Sequence, residues 1–329
     1  MADTGAFAEI QHELAEDMEA VNTLIATRMA SEHAPRIPQV TQHLVGAGGK
    51  RLRPMLTLAS ARMCGYGGTD HIKLAATVEF IHTATLLHDD VVDESAQRRG
   101  RPSANLLWDN QTSVLVGDYL FSRSFQLMVE CGSLKILDIL ANASATIAEG
   151  EVLQLSAAQD ISTSEATYLQ VVRGKTAALM AAACEVGGVL AGRPEAECLA
   201  LRAYGDALGI AFQMTDDYLD YSGAAASLGK NTGDDFRERK LTLPVIRAIG
   251  AADDTARAFW TRTIAKGEQR EGDVEQAMYY LASTGALADT RQAALDWAAK
   301  AQKALAPLPA HRLRDLLAEL TDFVVARAT

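Results

Sequence analysis

No proline interrupts the chain between Pro102 and Pro194, and the residues between them are rich in Ala, Leu, Glu and Gln. Proline removes a helical N–H donor and collides with the preceding turn, so its absence over this length leaves the chain free to form long helices. Apolar residues recur at helical spacing elsewhere too, which predicts helices near 7–29, 37–46, 54–64, 71–94, 110–131, 133–158, 164–190, 195–222, 242–250, 253–265, 273–283, 286–305 and 311–327. Pro54 and Pro244 fall in the first turns of two of these, where a missing donor costs little. Glycine-rich or basic breaks at 64–68, 98–102 and 192–194 read as loops. With no strand-period block, the expectation is an all-α chain forming one domain over 1–329.

The composition narrows the class. A hydrophobic fraction of 48% allows a sizeable core, and a net charge of −11 argues against a nucleic-acid surface. Cys64, Cys131, Cys184 and Cys198 show no CxxC spacing and read as free thiols of a reducing compartment. The first twenty residues are acidic and lack the basic-then-apolar order of a signal peptide. No uninterrupted apolar run is long enough to span a bilayer. The expected location is therefore the cytoplasm, with at most a transient contact with a membrane surface.

Two copies of one acidic pattern stand out. Asp89-Asp90-Val91-Val92-Asp93 and Asp216-Asp217-Tyr218-Leu219-Asp220 each end a long apolar helical stretch. Helical positions i and i+4 share a face, so Asp89 pairs with Asp93 and Asp216 with Asp220. Crowded carboxylates repel one another unless a cation neutralises them, and hard oxygen ligands suit Mg²⁺ (Mn²⁺ is the alternative), with phosphate supplying further ligands. Basic clusters accompany the acids. Gly48-Gly49-Lys50-Arg51-Leu52-Arg53-Pro54 puts three cations at a helix entry, Arg98-Arg99-Gly100 follows the first motif, and Lys175 and Lys230 lie in apolar or glycine-rich settings. Any one charge run is more often a solvated face. Two acid clusters beside four basic sites fit two diphosphates, one held through metal and one held directly by Lys and Arg. The Gly-rich, mixed-charge segment 222–240 is a candidate mobile flap over that site.

From about Val45 to the C-terminus the chain resembles the trans-isoprenyl (polyprenyl) diphosphate synthases. The basic loop, His88 with the first acidic motif, Arg98-Arg99-Gly100, Gly117-Asp118, Gly150-Glu151, Lys175-Thr176, Phe212 to Asp220 and Gly229-Lys230 all fall in family order. The resemblance implies an antiparallel helical bundle around a deep central cavity, usually as a homodimer. It also implies site roles. Asp89, Asp93 and Asp216 would ligate Mg²⁺ directly, with Asp90, Asp217 and Asp220 acting through water or behind them. Arg98, Lys175 and Lys230 would hold the allylic diphosphate (farnesyl or similar), and Lys50, Arg53, His82 and Arg99 would hold isopentenyl diphosphate. Gln213 would assist at the acidic face, and Thr176 would steady a carbocation. Catalysis would then rest on Asp89, Asp90, Asp93, Asp216, Lys175 and Arg98.

The turn before the first motif bears on product length. Short-chain members of the family typically place an aromatic there as a floor, whereas this chain has Ala84 and Thr85. Ile81, Phe80 and Thr77 lie below on the same helix, and Phe121, Phe125 and Met128 are spaced to line the same tunnel from a second helix. Such a stripe is more often plain core, but the missing aromatic favours a long product. The text around these residues looks most like octaprenyl to decaprenyl synthases that make quinone side chains. Two departures are Arg239 before Lys240, where relatives more often carry Gly-Lys, and the Asp234-Asp235 pair, given no catalytic weight.

Other readings fit less well. A geranylgeranyl or farnesyl synthase would want the aromatic floor. A class I terpene cyclase would lack the Lys50-to-Arg53 site and usually the second Asp motif. A di-iron bundle needs two Glu-x-x-His motifs plus two more Glu. Glu9–His12 and Glu79–His82 match that spacing, but one lies in a polar arm and the other overlaps the predicted diphosphate site. A non-catalytic subunit would have lost acids from one motif.

Overall fold

The computed structural model describes residues 5–46, 48–98, 100–222 and 232–326. Two N-terminal helices, α1 (Gly5–Glu13) and α2 (Ala15–Arg28), meet at the buried Leu14, where a single helix over 7–29 was expected. Next come α3 (Arg36–Val45), α4 (Leu52–Met63) and α5 (Asp70–Val92). A two-rung antiparallel ladder, β1 (Gln97–Arg98) with β2 (Arg101–Pro102), folds back from the end of α5. It is too short to carry a period-two signature, which is why no strand was predicted. The four-residue α6 (Ala104–Leu107) was missed for the same reason.

The proline-free stretch forms α7 (Asn110–Glu130), α8 (Leu134–Ala157) and α9 (Glu165–Val172), then a π-helical turn over Arg173–Ala177, and α10 (Ala178–Leu190). Their starts are written in the sequence. The Asp109, Ser133 and Ser164 side chains each accept a first-turn N–H, at Thr112, Ile136 and Thr167. After α11 (Glu195–Tyr221) come α12 (Asp234–Arg237), α13 (Leu243–Gly250) and α14 (Asp254–Trp260), which runs into a second π turn over Thr261–Ala265. The chain closes with α15 (Asp273–Ser283), α16 (Ala286–Ala304) and α17 (Arg312–Ala326).

Helix α10 is apolar apart from Glu185 and buried from Leu179 through Gly188, so it takes the centre, with α4, α5, α8 and α11 against it. A second apolar cluster around Trp260, Phe236 and Tyr221 gathers α12 to α15 beyond the end of α11. It anchors the chain that follows the second acidic motif. None of the described helices is long and apolar enough to cross a membrane.

Candidate active site

Both acidic motifs occupy the last turns of long helices, α5 and α11. Backbone carbonyls there already carry partial negative charge, so acids at these ends are unfavourable unless cations offset them. At the end of α5, Asp90 is fully buried and its Oδ1 accepts from Arg98 Nε at 2.9 Å. Asp90 thus braces Arg98 from inside the bundle. Asp93 caps the helix and is exposed, while Asp89 is half-buried. Burial pushes the Asp89 carboxyl up to about 6; Glu151 and Asp93 add to the shift, and Lys175 and Arg98 oppose it.

Lys175 is delivered by a contact between two glycines. A Cβ on Gly150 would lie 2.8 Å from the Gly174 Cα, and one on Gly174 would lie 2.7 Å from the Gly150 Cα. Only glycine at both positions lets α8 meet the π turn backbone to backbone. That approach sets Lys175 Nζ 2.8 Å from Glu151 Oε2 and 3.8 Å from Asp89 Oδ2. The next residue points to the other motif: Thr176 Oγ1 donates to Gln213 Oε1 at 3.0 Å, and Gln213 Nε2 donates to Asp217 Oδ1 at 2.9 Å. Two consecutive residues of one π turn therefore bind both acidic motifs into a single site. Turns of this kind recur at functional positions.

At the end of α11, Asp217 is buried, and Tyr168 donates its hydroxyl to the free Oδ2 at 2.6 Å. Burial still pushes the Asp217 carboxyl up to about 6, since both donors are neutral and Asp216 adds repulsion. Burial and the Asp217 charge likewise hold the Tyr168 hydroxyl well above its ordinary value. Asp216 is half-buried. Asp220 accepts the Asp235 N–H at 3.1 Å, and its backbone carbonyl takes the Gly233 N–H at 2.9 Å. The described end of the flap, 232–240, is thus tied to the second motif, and Phe236 sinks into the second core. Asp235, given no weight from the sequence, joins the acids: burial, Asp217 and Asp220 push its carboxyl well above the usual range. Lys240 lies nearby, 4.0 Å from Asp235 and paired with Glu238. Burial disfavours its charge, but Glu238, Asp235 and the more distant Asp93 outweigh that and raise its pKa.

The basic loop approaches from the other side of α5. Arg53 Nη1 and His82 Nε2 lie 3.2 Å apart, and the Lys50 ammonium sits 5.3 Å from the Phe323 ring centroid. Arg51 does not join them; it turns inward and pairs with Glu79. Arg99 and Lys230 lie outside the described residues, as does 223–231 of the flap.

The residues expected to set product length do not share one surface. Ala84, Ile81, Phe80 and Thr77 are buried, and Thr85 donates its hydroxyl to the His82 carbonyl at 2.8 Å. Phe125 is 40% exposed on the outer side of α7, edge-on to Phe121, while Ser124 and Met128 face inward. Phe125 therefore stands away from α5. Glu151, Tyr168, Asp235 and Lys240 are the site residues to which the sequence gave no role. Gly150-Glu151 was visible as a motif, whereas nothing marks Tyr168 as a partner for an acid 49 residues away.

A divalent cation fits this donor set. Among the described residues no three acidic, His or Cys side chains converge into a ready-made metal cage. Mg²⁺ needs none, because it binds through one or two carboxylates and fills its shell with water and substrate phosphate. Asp89 and Asp93 at the end of α5 and Asp216 at the end of α11 offer hard oxygen donors of this kind, at helix ends where negative charge is already unfavourable.

Comparison with known proteins agrees with this geometry. The family model described as polyprenyl synthetase matches residues 34–281. Octaprenyl diphosphate synthase of Escherichia coli (strain K12) is 44% identical over 313 residues, 95% of this chain and 96% of its own. The crystal structure of a decaprenyl diphosphate synthase from Rhodobacter capsulatus superposes with a TM-score of 0.96 at 65% identity, covering 98% of this chain and 99% of the other. A polyprenyl synthase from Caulobacter crescentus CB15, complexed with calcium and isoprenyl diphosphate, superposes at 0.93 with 52% identity and 98% coverage of both chains.

Proposed function

Because the chain belongs to the polyprenyl synthetase family and is a prenyltransferase, we propose that it extends an allylic diphosphate such as farnesyl diphosphate with successive isopentenyl diphosphates to an octaprenyl-to-decaprenyl product. The observation that carries this reading is the pair Lys175–Thr176, which joins two acid clusters across one cleft. Asp89, Asp93 and Asp216 would hold Mg²⁺, which when bound supplies positive charge to the leaving diphosphate. Lys175 and Lys240 stand where they would balance the negative charge that develops as the allylic C–O bond breaks. Lys50, Arg53 and His82 would hold isopentenyl diphosphate so that its double bond meets the allylic carbon. The buried helix face below Asp89 would keep water from that cation.

Small side chains at Ala84 and Thr85 support a long product, as do the long-chain relatives. Incubation of the pure protein with farnesyl diphosphate and radiolabelled isopentenyl diphosphate, with and without Mg²⁺, tests the reading. The expected result is a Mg²⁺-dependent ladder ending between eight and ten isoprene units, and a cyclised hydrocarbon would overturn it. In the same assay Ala84→Phe should stop the ladder near the farnesyl or geranylgeranyl size; an unchanged ladder removes Ala84 from length control.

A homodimer is part of the proposal. Leu115, Phe125 and Val129 on α7 and Leu134, Val152 and Leu155 on α8 leave an apolar face exposed on two neighbouring helices. A second copy would cover it, and sedimentation as a monomer at micromolar concentration would sink that idea.

A further inference from the structure

Glu79 and Arg51 have no part in either diphosphate site as assigned above, yet they form the most buried ion pair beside one of them. Glu79 is 5% exposed in the middle of α5, and the Arg51 guanidinium reaches in to it from the start of α4. Arg51 holds a left-handed backbone, φ 51°, and is separated by Lys50 from Gly48 at 75° and Gly49 at 150°. L side chains rarely adopt this conformation, and it persists only where surrounding contacts impose it. The two glycines can take many shapes and impose nothing. Two contacts hold Arg51: its carbonyl accepts the Met55 N–H at 3.2 Å as α4 begins, and its side chain is gripped by Glu79.

We propose that Glu79 is a positioning residue for the metal-free diphosphate site: by gripping Arg51 it sets the backbone from which Lys50 and Arg53 project. The inference rests on the reading of Lys50, Arg53 and His82 as that site. Helical spacing supports it. Glu79 and His82 are one turn apart on α5, so they share a face, and they catch alternate members of Arg51-Leu52-Arg53, Glu79 taking Arg51 and His82 taking Arg53 at 3.2 Å. One helix face thus reads both arginines of the loop and fixes its register. Lys50, exposed and carried on the same strained segment, inherits its place from the Arg51 backbone. The small cavity lined by Leu44, Val45, Glu79, Thr83, Leu86 and Arg98 places Glu79 next to the Asp90-bound Arg98 as well. Glu79 therefore sits where the supports of the two sites meet.

The test uses the full chain with Glu79→Gln and the double variant Glu79→Gln, Arg51→Gln, followed by calorimetric binding of isopentenyl diphosphate and by steady-state kinetics in both substrates. A misplaced loop should raise KM and Kd for isopentenyl diphosphate by about ten- to a hundredfold, with KM for farnesyl diphosphate within about twofold of wild type. The double variant removes the unpaired buried charge that threatens the single variant's fold, so it should melt near wild type while keeping the same defect. Equal loss in both substrates, no loss in either, or a defect that disappears in the double variant overturns the proposal. If wild type binds isopentenyl diphosphate but makes no polyprenyl product, the functional reading fails while binding to the variants still decides the role of Glu79. If wild type binds none, both fail.

Discussion

The two acidic motifs share a five-residue pattern but meet opposite surroundings. In each, the second acid points into the bundle: Asp90 is fully buried and Asp217 nearly so, while Asp89 and Asp216 are half-buried. Helix geometry accounts for this, since neighbouring residues differ by about 100° and positions i and i+4 return to one face. The motif therefore puts its first acid at the half-exposed site and its second in the scaffold, while the last acid differs: Asp93 is exposed, and Asp220 is buried with its carboxylate on the Asp235 N–H. The scaffold acids are then partnered differently. Asp90 meets the Arg98 cation, whereas Asp217 meets only the neutral Tyr168 hydroxyl and Gln213 amide. The first motif is braced by charge and the second by dipoles.

The largest effect should come from a cleft-side acid. Asp89→Asn removes a carboxylate facing Lys175 and should lower kcat by on the order of 10³. The same change should stabilise the metal-free protein. A folded carboxyl pushed from 3.8 to about 6 is harder to ionise than in the unfolded chain, so it lowers stability above pH 6 and the loss fades as pH falls toward 4. Two pH units correspond to roughly 3 kcal/mol as an upper bound. Thermal melting at pH 8 should therefore favour Asp89→Asn over wild type, with the gap closing by pH 4. A variant that melts lower at pH 8 would show that Asp89 supports the fold.

The contrast between the braces can be broken directly. Arg98→Gln leaves Asp90 as an unpaired buried charge and should cost about 3–5 kcal/mol in urea unfolding. Tyr168→Phe removes one neutral donor from Asp217 and should cost about 1–3 kcal/mol. Activity of Tyr168→Phe should fall by about ten- to a hundredfold as Asp217 loosens beside Asp216. Equal destabilisation by the two changes would mean the braces are alike after all.

How much of this was legible depended on the range of the interaction. The long helices follow from proline placement and apolar period, and both motifs are visible because each is contiguous. The π turn has no residue signature of its own; it lies where Gly174 meets Gly150 from a different helix. Tyr168 reaches Asp217 only once α9 lies against α11. Phe125 was misplaced by rotation: one residue from the inward Ser124 turns it about 100° outward. Arg239 sits between these cases, because the sequence flagged it as unusual without saying why.

The structure supplies the reason, and with it the smallest expected effect. Arg239 follows α12 with φ 59°, the left-handed turn that glycine commonly supplies after a helix. Its guanidinium offsets the strain. Nε donates to the Ile264 carbonyl, and Nη2 to the Ala265 carbonyl and Gln159 Oε1, all at 2.8 Å. The arginine thus ties the loop carrying Lys240 to the second π turn. Arg239→Gly gives up the tether and relieves the strain, so unfolding free energy should stay within about 1 kcal/mol of wild type. Arg239→Ala gives up the tether and keeps the strain, so it should lie about 1–2 kcal/mol below Arg239→Gly. Denaturant midpoints with Ala equal to or above Gly would show that the backbone at 239 is not strained. The guanidinium would then hold Lys240 in place without offsetting any cost.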